Sequence, residues 1–257
     1  MCMRMLFYWR FTMKQKREPY FSMAEKWLWL SSVLAILLSF CLFDRQHWLT
    51  LIASLTGVTS LIYNAKGNPV GQALMVAFSL MYGVISYHER YYGEMITYLG
   101  MTMPMAIVAL VAWLRNPFGD NKSEVTVNQI SRGELLLASL LTFLVTVAFF
   151  FILKTFHTQH LLISTLSVTT SFLAVYLTYR RSPFFAIAYA ANDLVLILLW
   201  CLATFEELSC LSVVVCFSAF FANDVYGFLS WRRMAVRQAA LQQDCVVWPE
   251  RKKKAVQ

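Results

Sequence analysis

The chain has 257 residues, of which 59% are hydrophobic and only 14% charged, and its formal net charge is +8. Globular proteins run at about 45–50% apolar and about 25% charged, so disorder is excluded, and six cysteines without framework spacing exclude a secreted disulfide scaffold. A soluble nucleic-acid binder accounts for the basic charge but not for the apolar bulk, whereas an integral membrane protein accounts for both.

In chain order, residues 1–26 form a basic head with Arg4, Arg10, Lys14, Lys16, Arg17 and Lys26. The head is too charged for a signal peptide, and no small-residue cleavage pattern follows the first apolar run, which is therefore expected as a retained signal-anchor. A spanning helix needs about 20 mostly apolar residues. Eight such stretches follow, at 27–43, 48–63, 69–87, 95–113, 135–153, 161–178, 184–203 and 209–230. None alternates with period two, which favours helices over a β-barrel. Between the fourth and fifth, Asn116 to Glu134 reads as a polar hinge without a domain of its own, with Ser131 and Glu134 spaced to cap the fifth helix.

Basic residues set the expected orientation. With the N-terminus inside, 19 of the 22 Lys and Arg fall on the cytoplasmic side, and only Arg45, Arg90 and Lys154 fall outside. The outer loops are read as acidic, with Glu89, Glu94, Glu206 and Glu207. This asymmetry follows the positive-inside rule and supports an even number of spans with both termini cytoplasmic. The basic tails are expected to lie against anionic lipid head groups, and no nucleic-acid partner is expected.

One unit occurs twice. Asn68-Pro69 opens the third span and Ser182-Pro183 the seventh, 114 positions later. Proline is tolerated in a first helical turn because its missing N–H has no partner there in any case. Trp113-Leu114-Arg115 ends the fourth span and Trp231-Arg232-Arg233 the eighth, 118 positions later. Spans two to four thus echo spans six to eight, with the fifth as connector. Four spans separate equivalents, an even number, so the repeats are parallel, an arrangement that places a transporter's substrate near the midplane between them. The expected fold is an all-α polytopic membrane protein of eight helices: a seven-helix core, two parallel triplets joined by a connector, plus an N-terminal helix. The corresponding segments are 1–26 (head), 27–47 (extra helix), 48–113 (first triplet), 114–160 (loop and connector), 161–231 (second triplet) and 232–257 (basic tail).

The informative residues are polar ones at mid-membrane depth. A central Asp costs about 2.5–3.5 kcal/mol on translocon scales. Asp193 and Asp224 each follow an asparagine, in Ala191-Asn192-Asp193 and Ala222-Asn223-Asp224, and these are read as the only formal charges in the interior. Such groups should face a cavity rather than lipid. An asparagine side chain can read a carboxamide or a sugar hydroxyl, and an aspartate can balance a cation. Tyr189, Trp200 and Tyr226 lie nearby in sequence, and Gln72, Tyr82 and Met105 occupy the other triplet. Aromatic faces beside Asn and Asp suit a planar, charged heterocycle. Helix–helix packing is the competing reading for the asparagines, and a proton relay for the aspartates. His157-x-x-His160 lacks a third metal ligand, no cofactor motif is present, and no GxSxG, HExxH or Walker loop occurs.

Taken together, Ala65-Lys66-Gly67, Tyr82-Gly83-Val84-Ile85-Ser86-Tyr87, Tyr91-Tyr92-Gly93-Glu94-Met95, Pro104-Met105 and Trp113 resemble the first repeat of the PnuC family of vitamin transporters. Asn192-Asp193 before Leu198-Leu199-Trp200, and Asn223-Asp224-Val225-Tyr226-Gly227-Phe228 before Trp231, agree with its second. The resemblance covers residues 27–233. It implies a three-plus-one-plus-three core, a homotrimer, and facilitated diffusion of nicotinamide riboside made unidirectional by cytoplasmic phosphorylation. The residues expected to bind substrate are Asn192, Asp193, Asn223, Asp224, Tyr189, Tyr226, Gln72, Tyr82, Met105 and Trp200. Two positions depart from the family pattern: Ala186 and Tyr189 stand where members commonly carry two tryptophans, and Ala106 stands where many carry glutamine. Relatives that carry thiamine or riboflavin, a membrane sensor that binds without transport, and an intramembrane aspartyl enzyme are the alternatives. An Asp193–Asp224 separation far beyond hydrogen-bond reach would exclude the last.

Overall fold

The computed structural model describes residues 20–119, 121–158 and 160–254, with side chains described to residue 243. The basic head before Tyr20 and the last three residues lie outside these. Among the described residues, eight helices are long and apolar enough to cross a membrane. They are α1 (Met23–Phe43), α2 (Trp48–Ala65), α3 (Pro69–His88), α4 (Tyr92–Arg115), α5 (Arg132–Thr155), α6 (Leu161–Tyr179), α7 (Phe185–Thr204) and α8 (Leu211–Lys254).

Local chemistry fixes several helix starts. Ser22 and Glu25 form a capping box at α1, and Ser131 and Glu134 form the one anticipated at α5. At α3, Asn68 Oδ1 accepts from the Val70 N–H at 2.9 Å and Pro69 takes the first helical position. α4 carries a π turn at Tyr98–Thr102. The polar hinge contains a short hairpin of β1 (Pro117–Phe118) and β2 (Asn121–Val125), which the hydropathy pattern did not reveal. α8 has 44 residues, about 66 Å at 1.5 Å each, so it continues well past a hydrocarbon core of about 30 Å.

Six helices close a ring. Neighbours within the first triplet are α2–α3 and α3–α4, and within the second α6–α7 and α7–α8; α4 meets α6 and α8 meets α2 across the seams. α5 packs outside on α6, and α1 packs outside on α8 and α2. This arrangement agrees with two triplets in parallel.

The hairpin face shows the same pairing in atomic detail. Trp113 Nε1 donates to the Thr178 carbonyl at 2.9 Å, and Trp231 Nε1 donates to the Asn64 carbonyl at 2.7 Å. The two indoles are fully buried with ring centroids 5.4 Å apart. Gly67 and Arg181, 114 positions apart, both take positive φ, 65° and 58°. Only glycine does so without steric cost, so Arg181 holds the same turn under strain. The segment after the fourth helix then bonds to both turns: Val125 N–H to the Gly67 carbonyl and Asn128 N–H to the Arg181 carbonyl, each at 3.0 Å.

Candidate functional site

The site is built where α7 and α8 cross. Small residues bring the helices close: a Cβ on Gly227 would lie 3.7 Å from the Ala186 Cβ and 3.9 Å from the Ala65 Cβ. Ala186 is fully buried in this contact. The two Ala-Asn-Asp segments then face each other. The Asp193 and Asp224 carboxyls are buried and lie close enough to interact strongly, and Asp193 Oδ2 has no hydrogen-bond partner. Two carboxyls in contact repel when both are ionised, and a bound cation or a shared proton relieves that repulsion.

The asparagines diverge. Asn192 is buried against α6, where its Oδ1 accepts from Thr170 Oγ1 at 2.8 Å, Ser171 Oγ at 2.9 Å and Ser167 Oγ at 3.5 Å. Asn223 faces α1 instead, with its Nδ2 donating to Ser32 Oγ at 2.9 Å and to the Ala219 carbonyl at 2.8 Å, leaving Oδ1 without a partner. Of the tyrosines, Tyr189 lies in electrostatic reach of both aspartates and packs edge-on against Phe185. Tyr226 points away, and its hydroxyl donates to Glu25 Oε1 at 3.0 Å.

The first triplet places its residues elsewhere. Gln72 Nε2 donates to Asn64 Oδ1 at 2.9 Å near the hairpin face, and Met105 is half-buried on α4. Tyr82 and Trp200 meet each other on the opposite side of the aspartates, with Trp200 Nε1 donating to the Tyr82 hydroxyl at 2.6 Å. Phe78, Tyr98, Phe217 and Phe220 complete this aromatic layer. The carboxyl pair therefore lies between two aromatic layers, this one and the Trp113–Phe185–Trp231 cluster. The candidates thus divide into a central group (Asp193, Asp224, Asn192, Tyr189), an aromatic pair (Tyr82, Trp200), and four residues engaged elsewhere or at the margin (Asn223, Tyr226, Gln72, Met105).

The structure corrects one reading. Glu94 is not in a loop: it lies in the first turn of α4, fully buried, so the aspartates are not the only interior carboxyls. Glu25, taken as part of the head, is a second addition; it is buried inside α1 and paired to Lys66 at 3.2 Å. Hydropathy missed Glu94 because Tyr91-Tyr92-Gly93-Glu94 is polar by composition, although its helix packs it inward. The serines that hold Asn192 did carry a readable signal, since Ser167 and Ser171 are four apart and fall on one helical stripe.

At the mouth opposite the hairpin, Asp44 Oδ1 meets His47 Nδ1 at 2.5 Å and Asp44 Oδ2 accepts from Ser212 Oγ at 3.3 Å. Partial burial, and next the neighbouring Glu207, raise the Glu89 pKa above the usual 4.5. No group of three His, Cys, Asp or Glu able to hold a metal occurs among the described residues.

The contact between Asp193 and Asp224 means that their separation does not exclude a shared-proton aspartyl pair. Comparison with known proteins decides between the classes. The model of the nicotinamide mononucleotide transporter family matches residues 47–233. A nicotinamide riboside transporter PnuC from Neisseria mucosa is 23% identical over 217 residues, covering 82% of each chain. The crystal structure of the vitamin B3 transporter PnuC superposes with a TM-score of 0.75 at 20% identity, covering 85% of this chain and 94% of the other.

Proposed function

Given that the chain belongs to the nicotinamide mononucleotide transporter family and is a multi-pass transporter rather than an enzyme, we propose that it takes up nicotinamide riboside across the cytoplasmic membrane. The observation that carries this reading is the buried Asp193–Asp224 contact between two aromatic layers. A pyridinium ring supplies the positive charge that such a pair lacks, and Tyr189 supplies an aromatic face beside it. Asn192, held by three hydroxyls, orients its amide for the carboxamide or ribose. Asn223 fixes α8 against α1 rather than reading substrate directly.

Access alternates by rocking of α2–α4 against α6–α8, which opens one aromatic layer at a time. Both termini and the hairpin face the cytoplasm, in keeping with 19 of 22 basic residues on that side. Three copies assemble in the membrane, with the basic tail of α8 against anionic lipid. Transport is downhill, and phosphorylation of the cargo inside makes it one-way.

A second flat cation, thiamine, fits the same carboxyl pair, and Ala186 offers less aromatic area than the family tryptophan. Competition decides between them. Proteoliposomes holding the purified protein take up labelled nicotinamide riboside, and excess unlabelled nicotinamide riboside suppresses this more strongly than thiamine or riboflavin. Stronger suppression by thiamine moves the assignment to that vitamin, and saturable binding without flux makes the protein a sensor.

A further inference from the structure

Five carboxyls are buried among the described residues: Glu25, Asp44, Glu94, Asp193 and Asp224. Two show how this fold satisfies a buried carboxyl for structural purposes. Glu25 takes the Ser22 N–H at 2.7 Å, the Tyr226 hydroxyl at 3.0 Å and the Lys66 ammonium at 3.2 Å. Asp44 is held by His47 and Ser212. Asp193 and Asp224 lie against each other. Glu94 is fully buried, has no ion-pair partner among the described residues and has the Ser167 hydroxyl beside it.

An acidic residue in a first helical turn is ordinary, because it complements the helix dipole, but such residues normally stay in water. Here the chain is shaped to turn it inward. A Cβ on Gly93 would lie 2.8 Å from Thr158 Cγ2, so glycine lets this turn press against the end of α5. One turn later the π turn of Tyr98–Thr102 inserts an extra residue, which keeps Tyr98 on the inner face. Single π turns occur often at functional sites. Within electrostatic reach of Glu94 are the Ser167 hydroxyl of α6 and the phenols of Tyr82, Tyr91 and Tyr98, and the Tyr82 and Tyr98 rings are 4.3 Å apart. Tyr98 is in turn within electrostatic reach of Asp193. Glu94 lies in the first turn of α4, whereas Asp224 is more than three turns into α8.

We propose that Glu94, with the Tyr82 and Tyr98 rings, is an outer subsite for an aromatic cation, occupied on the way to the Asp193–Asp224 pair. The carboxyl meets the positive charge and the rings meet the flat face, while the Ser167 hydroxyl lies between Glu94 and Asn192. Discrimination between charged and neutral forms of one heterocycle therefore begins at Glu94. The inference takes its ligand class from the transport reading above.

The test uses the full-length protein and Glu94→Gln, which keeps shape and hydrogen-bonding capacity but not charge. Uptake of nicotinamide riboside is compared with that of its neutral 1,4-dihydro form. The ratio of cation to neutral uptake is expected to fall about tenfold in Glu94→Gln. An unchanged ratio overturns the inference, and if Glu94→Gln moves neither form the binding measurement decides. A second measurement does not depend on transport: thermal stabilisation by N-methylnicotinamide, a bare pyridinium cation. Wild type is stabilised at concentrations about tenfold lower than Glu94→Gln, and equal curves overturn the subsite. If wild type moves neither riboside yet shows that difference, the cation subsite stands and the transport reading fails.

Discussion

Asp193 and Asp224 are the two residues on which the proposed function rests. Each is an expensive choice for a membrane helix, and the two meet. Replacing Asp224 by Asn removes one charge and leaves Asp193 a neutral partner. The expected result is a fall of at least about tenfold in nicotinamide riboside uptake, with the protein still folded by gel filtration. Glycine contacts offer a test of packing alone. A Cβ on Gly71 would lie 2.3 Å from Asn64 Oδ1 and 2.7 Å from the Asn64 backbone nitrogen, and the latter cannot move aside. Gly71→Ala is expected to cost about 1–3 kcal/mol, read as a lowered thermal midpoint. Glu89 supplies a pH test outside the membrane. Its raised pKa means that its contribution to stability is fully present below 4.5 and is lost as pH rises through the folded-state value. The wild-type midpoint should therefore fall relative to Glu89→Gln as pH rises above 4.5, and parallel profiles would refute this.

Among the elements, the two terminal tryptophans make the strongest case. Trp113 and Trp231 were legible as punctuation, because each closes an apolar run just before arginine. Their real work is less visible from sequence: each indole reaches across a seam to a carbonyl of the other triplet. Trp231→Phe retains most of the apolar area and leaves the Asn64 carbonyl without its 2.7 Å donor. The expected destabilisation is about 1–3 kcal/mol, measurable as a midpoint shift, and no shift would mean that water replaces the indole. All eight helices were readable, since a run of about 20 apolar residues has few other uses. The asparagine directions were not. Asn192 and Asn223 occupy equivalent words in the chain, yet α6 offers three hydroxyls to the first while α1 offers Ser32 to the second. A repeat in sequence does not fix what stands outside each copy, and α1 has no counterpart beside α7. Glu94 was misread for a related reason, since a polar cluster at a span edge looks like a loop until the packing of its helix is known.

At the scale of the whole molecule, the fold combines a closed ring of six helices with two added outside. The family match begins at residue 47, so α1 lies before it. Its attachment through Glu25, Lys66, Tyr226 and Asn223 is particular to the packing seen here. The proposed topology rests on charge. A tag fused to the C-terminus is expected to resist protease on intact spheroplasts and to be digested once they are permeabilised, and digestion of the intact cells would invert the orientation. The central claim, however, is that a buried carboxyl pair between aromatic layers carries a pyridinium nucleoside. It is tested most directly by uptake of labelled nicotinamide riboside into proteoliposomes with wild type and Asp224→Asn side by side. The account predicts saturable uptake by wild type that is at least about tenfold weaker in the variant, and equal uptake by the two proteins, or none by either, contradicts it.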